Sequence, residues 1–274
     1  TLAGDSSGMS QANLVQSDLQ TVAPYSKYAM SFDGNDYIDC GSLSLNANSG
    51  TVSAWIKSTN TSDFQIIIGK TTGGGGNDQF MFRTEANGKV RLFLYHDSVS
   101  TILDSTGTVL DGDWHQVAFT YSSSGINIYI DGFVSGSNTT NVTTLTTSTE
   151  NLMIGARNIS TPEKFFNGSM SNISVWNTAL TSSQVTEIYN EGLPSNLNSH
   201  SSYSNLVSWW QLGENSSYIG DWIFADEKGT NNGDGEGLGV GALTNGVGTT
   251  ANGVSSGMGV GALIGDAPYS TANA

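Results

Sequence analysis

The glutamates of this chain do not form the carboxylate pair that sugar hydrolysis needs. That reaction uses two carboxyl groups about 5–10 Å apart, one acting as an acid and the other as a base or nucleophile. The glutamates are instead dispersed at positions 85, 150, 163, 187, 191, 214, 227 and 236. Asp226 and Glu227 are adjacent, so they point to opposite sides of an extended chain. The sequence therefore ranks a glycoside hydrolase lowest among the functions considered below, and we expect no catalytic residues.

The histidines and the cysteine offer no metal or nucleophile motif. His96, His115 and His200 lack the His-x-His or His-x-x-x-His spacing of zinc sites. Cys40 is the only cysteine, so it can form no intrachain disulfide, and we expect it to be a small core residue. The glycine runs lack the Lys-Ser/Thr that closes a phosphate-binding loop. These residue types favour binding or assembly over catalysis.

Composition narrows the classes of partner. The chain has 274 residues, a formal net charge of −15 and only 12% charged residues, so Ser, Thr, Asn and Gly must cover most of its surface. The nine Lys and Arg residues form no basic stripe, which argues against nucleic acid as a partner. No stretch approaches the roughly 18 apolar residues of a membrane helix. The N-terminus lacks signal-peptide features and starts at Thr1, so we expect a processed chain or one cut from a longer polypeptide.

The elements that must position any site are β-strands. Six runs rich in β-branched and aromatic residues occur in one order, bounded by Gly, Asn, Asp or Ser: SFDGNDYIDC, TVSAWIK, DGDWHQVAFTY, INIYIDG, LMIGAR and FFNGSMSNISVWN. Apolar residues alternate with polar ones, as at Val52, Ala54 and Ile56, which predicts one buried and one wetted face. Strands are predicted at about 30–40, 51–57, 64–70, 79–84, 89–96, 114–121, 126–131, 152–157 and 170–177. Asn87-Gly88 predicts a two-residue hairpin turn.

One helix is predicted after the last of these strands. Thr181 can cap its N-terminus with Gln184 three residues on, and Val185 and Ile188 lie on a single apolar stripe. Gly192 then ends the helix.

The order of these runs resembles the laminin-G-like branch of the concanavalin A-like lectin sandwich. The resemblance covers roughly residues 29–191, and the phrase WNTALTSSQVTEIYN after the last strand strengthens it, because a short helix follows in the same way in that family. It implies an all-β fold, a two-sheet antiparallel jelly-roll sandwich with one short helix. Extended glycine-rich terminal arms complete the expected architecture.

Four segments are expected along the chain. They are an extended N-terminal arm at 1–28, the sandwich at 29–193, an aromatic strand and loop at 194–228 that completes or caps the sandwich, and a glycine-rich C-terminal arm at 229–274. The last arm repeats the lead-in, because SSGM and APYS occur at 6–9 and 23–26 and again at 255–258 and 267–270. A tandem array cut at its boundary and a subunit without its second module both fit this repeat. We expect the arms to lie on neighbouring copies in a homo-oligomer.

The resemblance also implies a calcium site at a rim of the sandwich, made by Asp and Asn side chains and backbone carbonyls. The candidate ligands are Asp33, Asp36, Asp111 and Asp113, since calcium prefers hard oxygen ligands. The family commonly has an acidic pair in its last strand, where this chain has Ser171-Asn172, which puts an inherited site in doubt. Turn chemistry is the alternative, and the favoured one, because Asp bonds its own backbone two residues on.

Sugar binding is the second property that the resemblance implies. It needs an aromatic platform beside amide and carboxylate groups. Trp209, Trp210 and Trp222 lie outside the main run of motifs and are the candidates. Neighbouring tryptophans in one strand point to opposite faces, so at least one needs cover from another layer or subunit. An interface or capping role therefore stays open beside the sugar platform.

The lead-in and the sandwich opening YAMSFDGNDYIDCG resemble modules carried by virion structural proteins of marine bacteriophages. The first functional hypothesis is a non-enzymatic, lectin-like structural protein of a virus particle, as a capsid decoration, fibre or appendage. Its partners would be copies of itself or other virion proteins, with surface polysaccharide as a further ligand. The alternative is a secreted bacterial adhesin or extracellular filament subunit at the cell surface.

Overall fold

The computed structural model describes residues 26–72, 78–158 and 161–247. These ranges contain one α-helix, α1 (Ser182–Tyr189), and seventeen β-strands. The strands are β1 (Tyr28–Asp33), β2 (Tyr37–Asp39), β3 (Gly50–Lys57), β4 (Gln65–Lys70), β5 (Phe80–Thr84), β6 (Lys89–His96), β7 (Val99–Thr108), β8 (His115–Ser122), β9 (Gly125–Ile130), β10 (Phe133–Asn138), β11 (Met153–Ile154), β12 (Asn167–Trp176), β13 (Leu206–Trp210), β14 (Ser217–Tyr218), β15 (Trp222–Phe224), β16 (Gly233–Glu236) and β17 (Leu243–Asn245).

The strands form two antiparallel sheets. Sheet 1 has the order β10-β9-β8-β3-β12-β1-β17, with β13 also paired to β12. Sheet 2 has the order β14-β15-β16-β2-β11-β4-β5-β6-β7. The predicted all-β, two-sheet antiparallel sandwich with one short helix is confirmed. Within the described ranges, the helices lack the length and apolar character that crossing a membrane requires.

The main core lies between the sheets and follows the alternation of the strands. In β6, Val90, Leu92 and Leu94 are buried in this core, whereas Arg91 and Phe93 between them are half-buried on the outer face. Each large aliphatic side chain that is fully buried contributes about 1.5–3 kcal/mol. The period-2 pattern therefore sets which face of each strand points inward.

The central strand β3 departs from this pattern, because both of its faces are covered. Val52, Ala54 and Ile56 point into the main core, as predicted. Trp55 points the other way and is also buried, stacked on Tyr189 of α1 with ring centroids 5.8 Å apart. The outer face of sheet 1 is thus covered by α1 and the segment after it, which form a second apolar layer.

The helix α1 is confirmed where the sequence predicts it. The Thr181 side chain accepts a hydrogen bond from the Gln184 backbone N–H, and the Gln184 side chain accepts one from the Thr181 backbone N–H. This reciprocal capping box satisfies two amides that a helix start would otherwise leave unpaired. Val185 and Ile188 are its buried residues. Asn190 ends the helix in the left-handed conformation with φ of 46°, two residues before the predicted Gly192.

Strand β12 organises the centre of sheet 1. Its first half pairs with β1 and its second half with β13, while β3 lies along its other edge. A bulge between Ser171 and Ser174 separates the halves, and Asn172 within it has φ of 48°. Gly168 has φ of +151°, and a Cβ atom there would lie 2.2 Å from the Lys57 carbonyl oxygen. Two strands can approach this closely only because position 168 carries no side chain.

The predicted first strand at 30–40 is two strands in opposite sheets. The chain leaves β1 in sheet 1 and enters β2 in sheet 2 through a turn at residues 34–36. Within this turn the Asp36 carboxylate accepts the Asp33 N–H at 2.8 Å, and Asp33 accepts the Asn35 N–H at 3.3 Å. The turn is built by side chains that bond the local backbone, and alternation alone did not reveal it.

The hairpin between β5 and β6 occurs where predicted, but its loop is longer. The loop runs from Glu85 to Gly88, with the Gly88 N–H bonded to the Glu85 carbonyl and the Glu85 N–H bonded to the Lys89 carbonyl. Gly88 has φ of +82°, and Asn87 is outside the positive-φ region. This is a turn followed by a glycine bulge, so the predicted two-residue turn is wrong.

The glycine-rich segment from 229 to 247 belongs to the sandwich. Strand β16 pairs with β15 and β2, and β17 pairs with β1. Leu238, Leu243 and Val247 are buried, and these few apolar side chains anchor the segment. The expected C-terminal arm is therefore wrong for these residues. Its remainder at 248–274, the lead-in at 1–25 and both copies of SSGM lie outside the described residues, so their contact with neighbouring copies stays a prediction.

The two ends of the described body meet at the edge of sheet 1. Tyr28 is the register partner of Asn245, and the Gly246 N–H bonds the Lys27 carbonyl at 2.9 Å. Glu214 holds the start of β1 from the other side, because it accepts hydrogen bonds from the Ser26 hydroxyl at 2.9 Å and from the Lys27 N–H. Burial raises the pKa of the Glu214 carboxyl, and these donors oppose the rise.

Candidate functional site

An open cleft of about 820 Å³ lies at the turn between β6 and β7. We call it the hairpin cleft. Three parts of the chain form its walls: the start of β5, the β6–β7 turn and a loop that precedes β11. Its lining residues are Asp78, Tyr95, Asp97, Ser98, Val99, Ser100 and the loop residues Thr144, Leu145, Thr146 and Thr147.

The turn between β6 and β7 has an unusual backbone. Asp97 and Ser98 have φ of 48° and 65°, and they connect the paired residues His96 and Val99. A two-residue turn with both residues at positive φ matches the twist of an antiparallel hairpin. Asp tolerates this region because its short side chain can bond nearby backbone. The turn therefore projects the side chains of Asp97 and Ser98 at the end of the sheet.

The Asp97 carboxylate ties this turn to the opposite loop. It accepts hydrogen bonds from the Thr143 N–H at 3.0 Å, the Thr144 N–H at 3.1 Å and the Thr143 hydroxyl. His96 Nδ1 lies 3.0 Å from the same carboxylate. The Thr143 hydroxyl and amide, together with His96, hold the pKa of Asp97 well below its usual range. Asp97 is therefore a fixed negative charge on one wall.

Asp78 and Tyr95 form the facing wall. The Asp78 carboxylate is fully buried and accepts the Thr72 N–H at 2.5 Å and the Thr72 hydroxyl at 3.0 Å. Burial raises the pKa of Tyr95, and the charge of Asp78 and a hydrogen bond to it raise it further. The phenol thus stays protonated at neutral pH. The cleft presents an aromatic ring, the Asp97 carboxylate and several hydroxyl groups, which together can accept and donate hydrogen bonds to a polyhydroxylated ligand.

The sequence did not reveal this cleft. Strand β7, with the sequence VSTILDSTGT, is rich in Ser, Thr and Gly, so no strand was predicted there. The Asp97-Ser98 dipeptide between KVRLFLYH and that strand is the signal that could have located the turn. The approach of the loop at 143–147 depends on long-range contacts, which no local pattern encodes.

Trp209 is buried in the second apolar layer. Its side chain is 0% exposed, it packs with Trp176, Val185 and Ile188, and its indole N–H donates to Asn172 Oδ1 at 3.3 Å. We expect one of the two neighbouring tryptophans to be buried by another layer or subunit. For Trp209 that layer is α1 of the same chain. Trp209 presents no ring face to a sugar.

Trp210 and Trp222 are also buried. Trp210 points into the main core, opposite Trp209, and its indole N–H donates to the Asn231 carbonyl at 2.7 Å. Trp222 stacks on Phe224 and donates to the Gly239 carbonyl at 2.9 Å. The prediction of a tryptophan sugar platform is wrong for all three residues, because side chains that are at most 2% exposed cannot stack on a ligand. Trp222 anchors the glycine-rich segment instead.

The candidate calcium ligands fall into two separate turns. Asp33 and Asp36 share the β1–β2 turn, whereas Asp111 accepts the Asp113 N–H at 2.9 Å in the loop before β8. Asp36 Oδ1 is buried without a partner, and burial raises the pKa of its carboxyl. Among the described residues, no three Asp, Glu, His or Cys side chains converge on one point. This set does not fit calcium, which takes about six to eight oxygens. The bonds present are those of the turn-chemistry alternative.

His115 connects two loops through two carboxylates. Its Nδ1 lies 2.8 Å from Asp131 Oδ2, and its Nε2 lies 3.1 Å from Asp111 Oδ1. Hydrogen bonding to Asp131, opposed by burial and aided by Asp111, raises the pKa of the imidazole. Asp131 also accepts the Gln116 N–H at 3.0 Å and has φ of 51°, so it is fixed at the β9–β10 turn. This arrangement is a structural clamp.

Comparison with solved structures shows the same fold in proteins of low sequence identity. A candidate carbohydrate-binding protein from Bacteroides ovatus is similar at 19% identity with a TM-score of 0.61, over 80% of this chain and 60% of that protein. A heptameric SAP-like pentraxin from Limulus polyphemus is similar at 17% identity and a TM-score of 0.54, over 82% of this chain and 97% of the pentraxin. The CBM40 of the Ruminococcus gnavus IT-sialidase reaches 16% identity and a TM-score of 0.50, over 60% and 97%.

Comparison with curated proteins gave no match. Residues 32–186, more than half of the chain, match a family described as the concanavalin A-like lectin/glucanases superfamily. This match includes the strands β2–β12 and the capped start of α1, and it confirms the laminin-G-like resemblance. The chain belongs to the concanavalin A-like lectin/glucanases superfamily.

Proposed function

We propose that this chain is a non-catalytic glycan-binding module and that the hairpin cleft is its ligand site. The observation that carries the proposal is the cleft itself, about 820 Å³ with Tyr95, Asp78 and Asp97 in its walls. Ligand sites commonly have volumes of about 300–1,000 Å³ and combine apolar area with a few fixed polar groups. The Bacteroides ovatus protein and the CBM40 are named for carbohydrate binding, which supports this reading.

The charge state of Asp97 favours a role in binding over the role of an acid in hydrolysis. A glycosidase needs one carboxyl group that is protonated near neutral pH, so that it can donate a proton to the leaving oxygen. Asp97 has the opposite property, because its donors lower its pKa. A carboxylate held ionised in this way can accept hydrogen bonds from sugar hydroxyls but cannot serve as the acid.

We further propose that the module acts on a virus particle, as a capsid decoration, fibre or appendage protein. The support is the resemblance of the lead-in and sandwich opening to phage virion modules, together with an acidic, hydroxyl-rich composition. Its partners would be other copies or other virion proteins. Many copies on one particle would compensate for weak binding at each cleft, since multivalent attachment multiplies avidity. The alternative is a secreted adhesin or filament subunit at the cell surface.

Binding can be tested by glycan-array screening of the full chain, followed by calorimetric titration of the best ligand. We expect Tyr95→Ala to weaken binding at least about tenfold, because it removes the ring from the cleft wall. Phe133→Ala is the matched control, since Phe133 is an aromatic residue outside the cleft and 69% exposed. Silence across the array, or equal loss in both variants, would contradict the assignment of the cleft.

Location can be tested with an antibody against the folded module. We expect it to label purified virus particles in electron micrographs. Labelling of cell-surface filaments without labelling of particles would favour the adhesin alternative and contradict the virion proposal.

A further inference from the structure

We infer that the hairpin cleft selects neutral, hydroxyl-rich sugars and rejects sugars that carry a carboxylate or sulfate. This inference rests on the proposed function and specifies the ligand class of the same site. It follows from the sign of the fixed charge in the cleft and from the pairing of the arginines.

The charged groups of the cleft all have one sign. Among its described lining residues, Asp78 and Asp97 are the only charged side chains, and the lining contains no Lys, Arg or His. The Asp97 carboxylate faces a ligand space shared with the hydroxyls of Ser98, Ser100 and Thr146, whereas Asp78 is buried in the wall behind it. Sugar hydroxyls can donate to Asp97, whereas an anionic group would have to approach its like charge.

Asp97 is held in the ionised form by donors, and the buried Asp78 also accepts hydrogen bonds from fixed donors. Asp97 accepts two backbone N–H groups and a hydroxyl from residues 143 and 144. Asp78 accepts the backbone N–H and the hydroxyl of Thr72. Because these donors are fixed by the fold, the negative field is present before a ligand arrives. An acidic sugar cannot remove it by a small movement of a side chain.

The arginines lie outside the cleft lining and each is paired with a carboxylate, so their charges reach Tyr95 only from a distance and lower its pKa less than the other contributions raise it. Arg83 Nε lies 2.7 Å from Glu85, and its guanidinium lies between the rings of Phe64 and Phe93, 3.9 and 4.6 Å from their centroids. Arg91 forms a bidentate pair with Asp104, at 2.5 and 2.8 Å.

Arg157 pairs with Glu163. These are all three arginines of the sequence. The planar, bidentate donors that usually recognise anionic sugars are thus engaged with carboxylates of the same chain.

The test uses pairs of glycosides that differ only at C6, with a hydroxymethyl group in one member and a carboxylate in the other. Neutral oligosaccharides and their C6-oxidised forms are titrated into the full chain at low salt. We expect each neutral member to bind at least about tenfold more tightly than its acidic partner, the effect of a like charge held about 10 Å away in a partly buried site. The difference should shrink in 0.5 M NaCl, since salt screens the repulsion.

A charge-removing variant provides a second measurement. Asp97→Asn retains the size of the side chain, tolerates the positive φ of the turn and removes one negative charge, so we expect it to narrow the difference in affinity between the members of each pair. If this variant fails to fold, the salt series tests the inference on the wild-type chain, because a repulsion between like charges must weaken in 0.5 M NaCl. Equal or tighter binding of the acidic members overturns the inference while leaving glycan binding intact. Failure of every neutral and acidic member to bind overturns the proposed function and the inference with it.

Discussion

Truncation of Trp209 distinguishes a buried structural tryptophan from a sugar platform. Its side chain is 0% exposed beneath α1, and its indole N–H bonds Asn172. A buried tryptophan removes about 150–250 Å² from water. At about 25 cal/mol per Å² this burial is worth about 4–6 kcal/mol, of which alanine retains a part, so Trp209→Ala should lower the free energy of unfolding by about 3–5 kcal/mol, in line with such substitutions in other cores.

The assay is thermal unfolding followed by circular dichroism, with glycan binding measured below the transition. For a domain of this size, about 2–4 °C is lost per kcal/mol, so the Tm of Trp209→Ala should fall by about 6–20 °C. Trp209→Phe is the matched variant. Because this variant keeps an aromatic ring, its loss of stability should be smaller than that of Trp209→Ala. It should still be measurable, since Asn172 Oδ1 loses the indole N–H as its donor.

The two variants should separate glycan affinity from thermal stability. Tyr95→Ala should lose glycan affinity with a smaller change in Tm, whereas Trp209→Ala should keep its affinity while folded. The reasoning is refuted if Trp209→Ala unfolds within about 2 °C of the wild type and loses binding, because the tryptophan would then be a surface contact.

Three further outcomes are expected. The pKa of His115 is raised in the folded state, so its clamp should stabilise the protein fully below the unfolded pKa of about 6.5 and lose this contribution as pH rises through the folded pKa. The Tm difference between wild type and His115→Gln, followed from pH 5 to 9, should therefore decrease with pH, and a difference that grows would contradict the clamp. Millimolar calcium should leave the Tm unchanged, and a rise of several degrees that Asp36→Asn abolishes would restore the calcium prediction. Gly168→Ala should cost more than about 2 kcal/mol in chemical denaturation, because the added Cβ meets a carbonyl oxygen, whereas Gly239→Ala, with nothing near its Cβ position, should stay within about 0.5 kcal/mol.

The predictable part of the fold is the part where side chains repeat with a clear period. Alternating β-branched and aromatic residues located the strands around Val52 and Ile128, and the Thr181 capping box located α1. Strands β7, β10 and β16 were not predicted, because they are rich in Ser, Gly and Asp and have few large apolar residues. Strands β7 and β10 lie at sheet edges, and β16 is held in place by its pairing with β15 and β2. The local propensity of their residues therefore gives little indication that they form strands.

The candidate site was beyond sequence reasoning for a related reason. Asp78 and Asp97 line one cleft only because β5 and β6 pair and a distant loop bonds the turn between β6 and β7. The sugar platform was predicted at the tryptophans because this residue type is common on binding surfaces. In the folded chain they are buried by α1 and by the segment up to Gly239, which residue type alone does not reveal. Burial is a property of the assembled layers, and residue type does not determine it.

The short β17 pairing has a mechanical consequence. Residues 26 and 247 end the described body side by side, and β17 holds β1 through only three register pairs, from Tyr28–Asn245 to Met30–Leu243. A force that pulls those ends apart acts perpendicular to β1 and β17, so the hydrogen-bonded pairs between these strands break one after another rather than all together. Because Glu214 clamps the side of Ser26, the strand that gives way under tension is β17. A tethered module would thus lengthen under load by losing the β1–β17 pairing first. The hairpin cleft lies in the other sheet and would keep its shape.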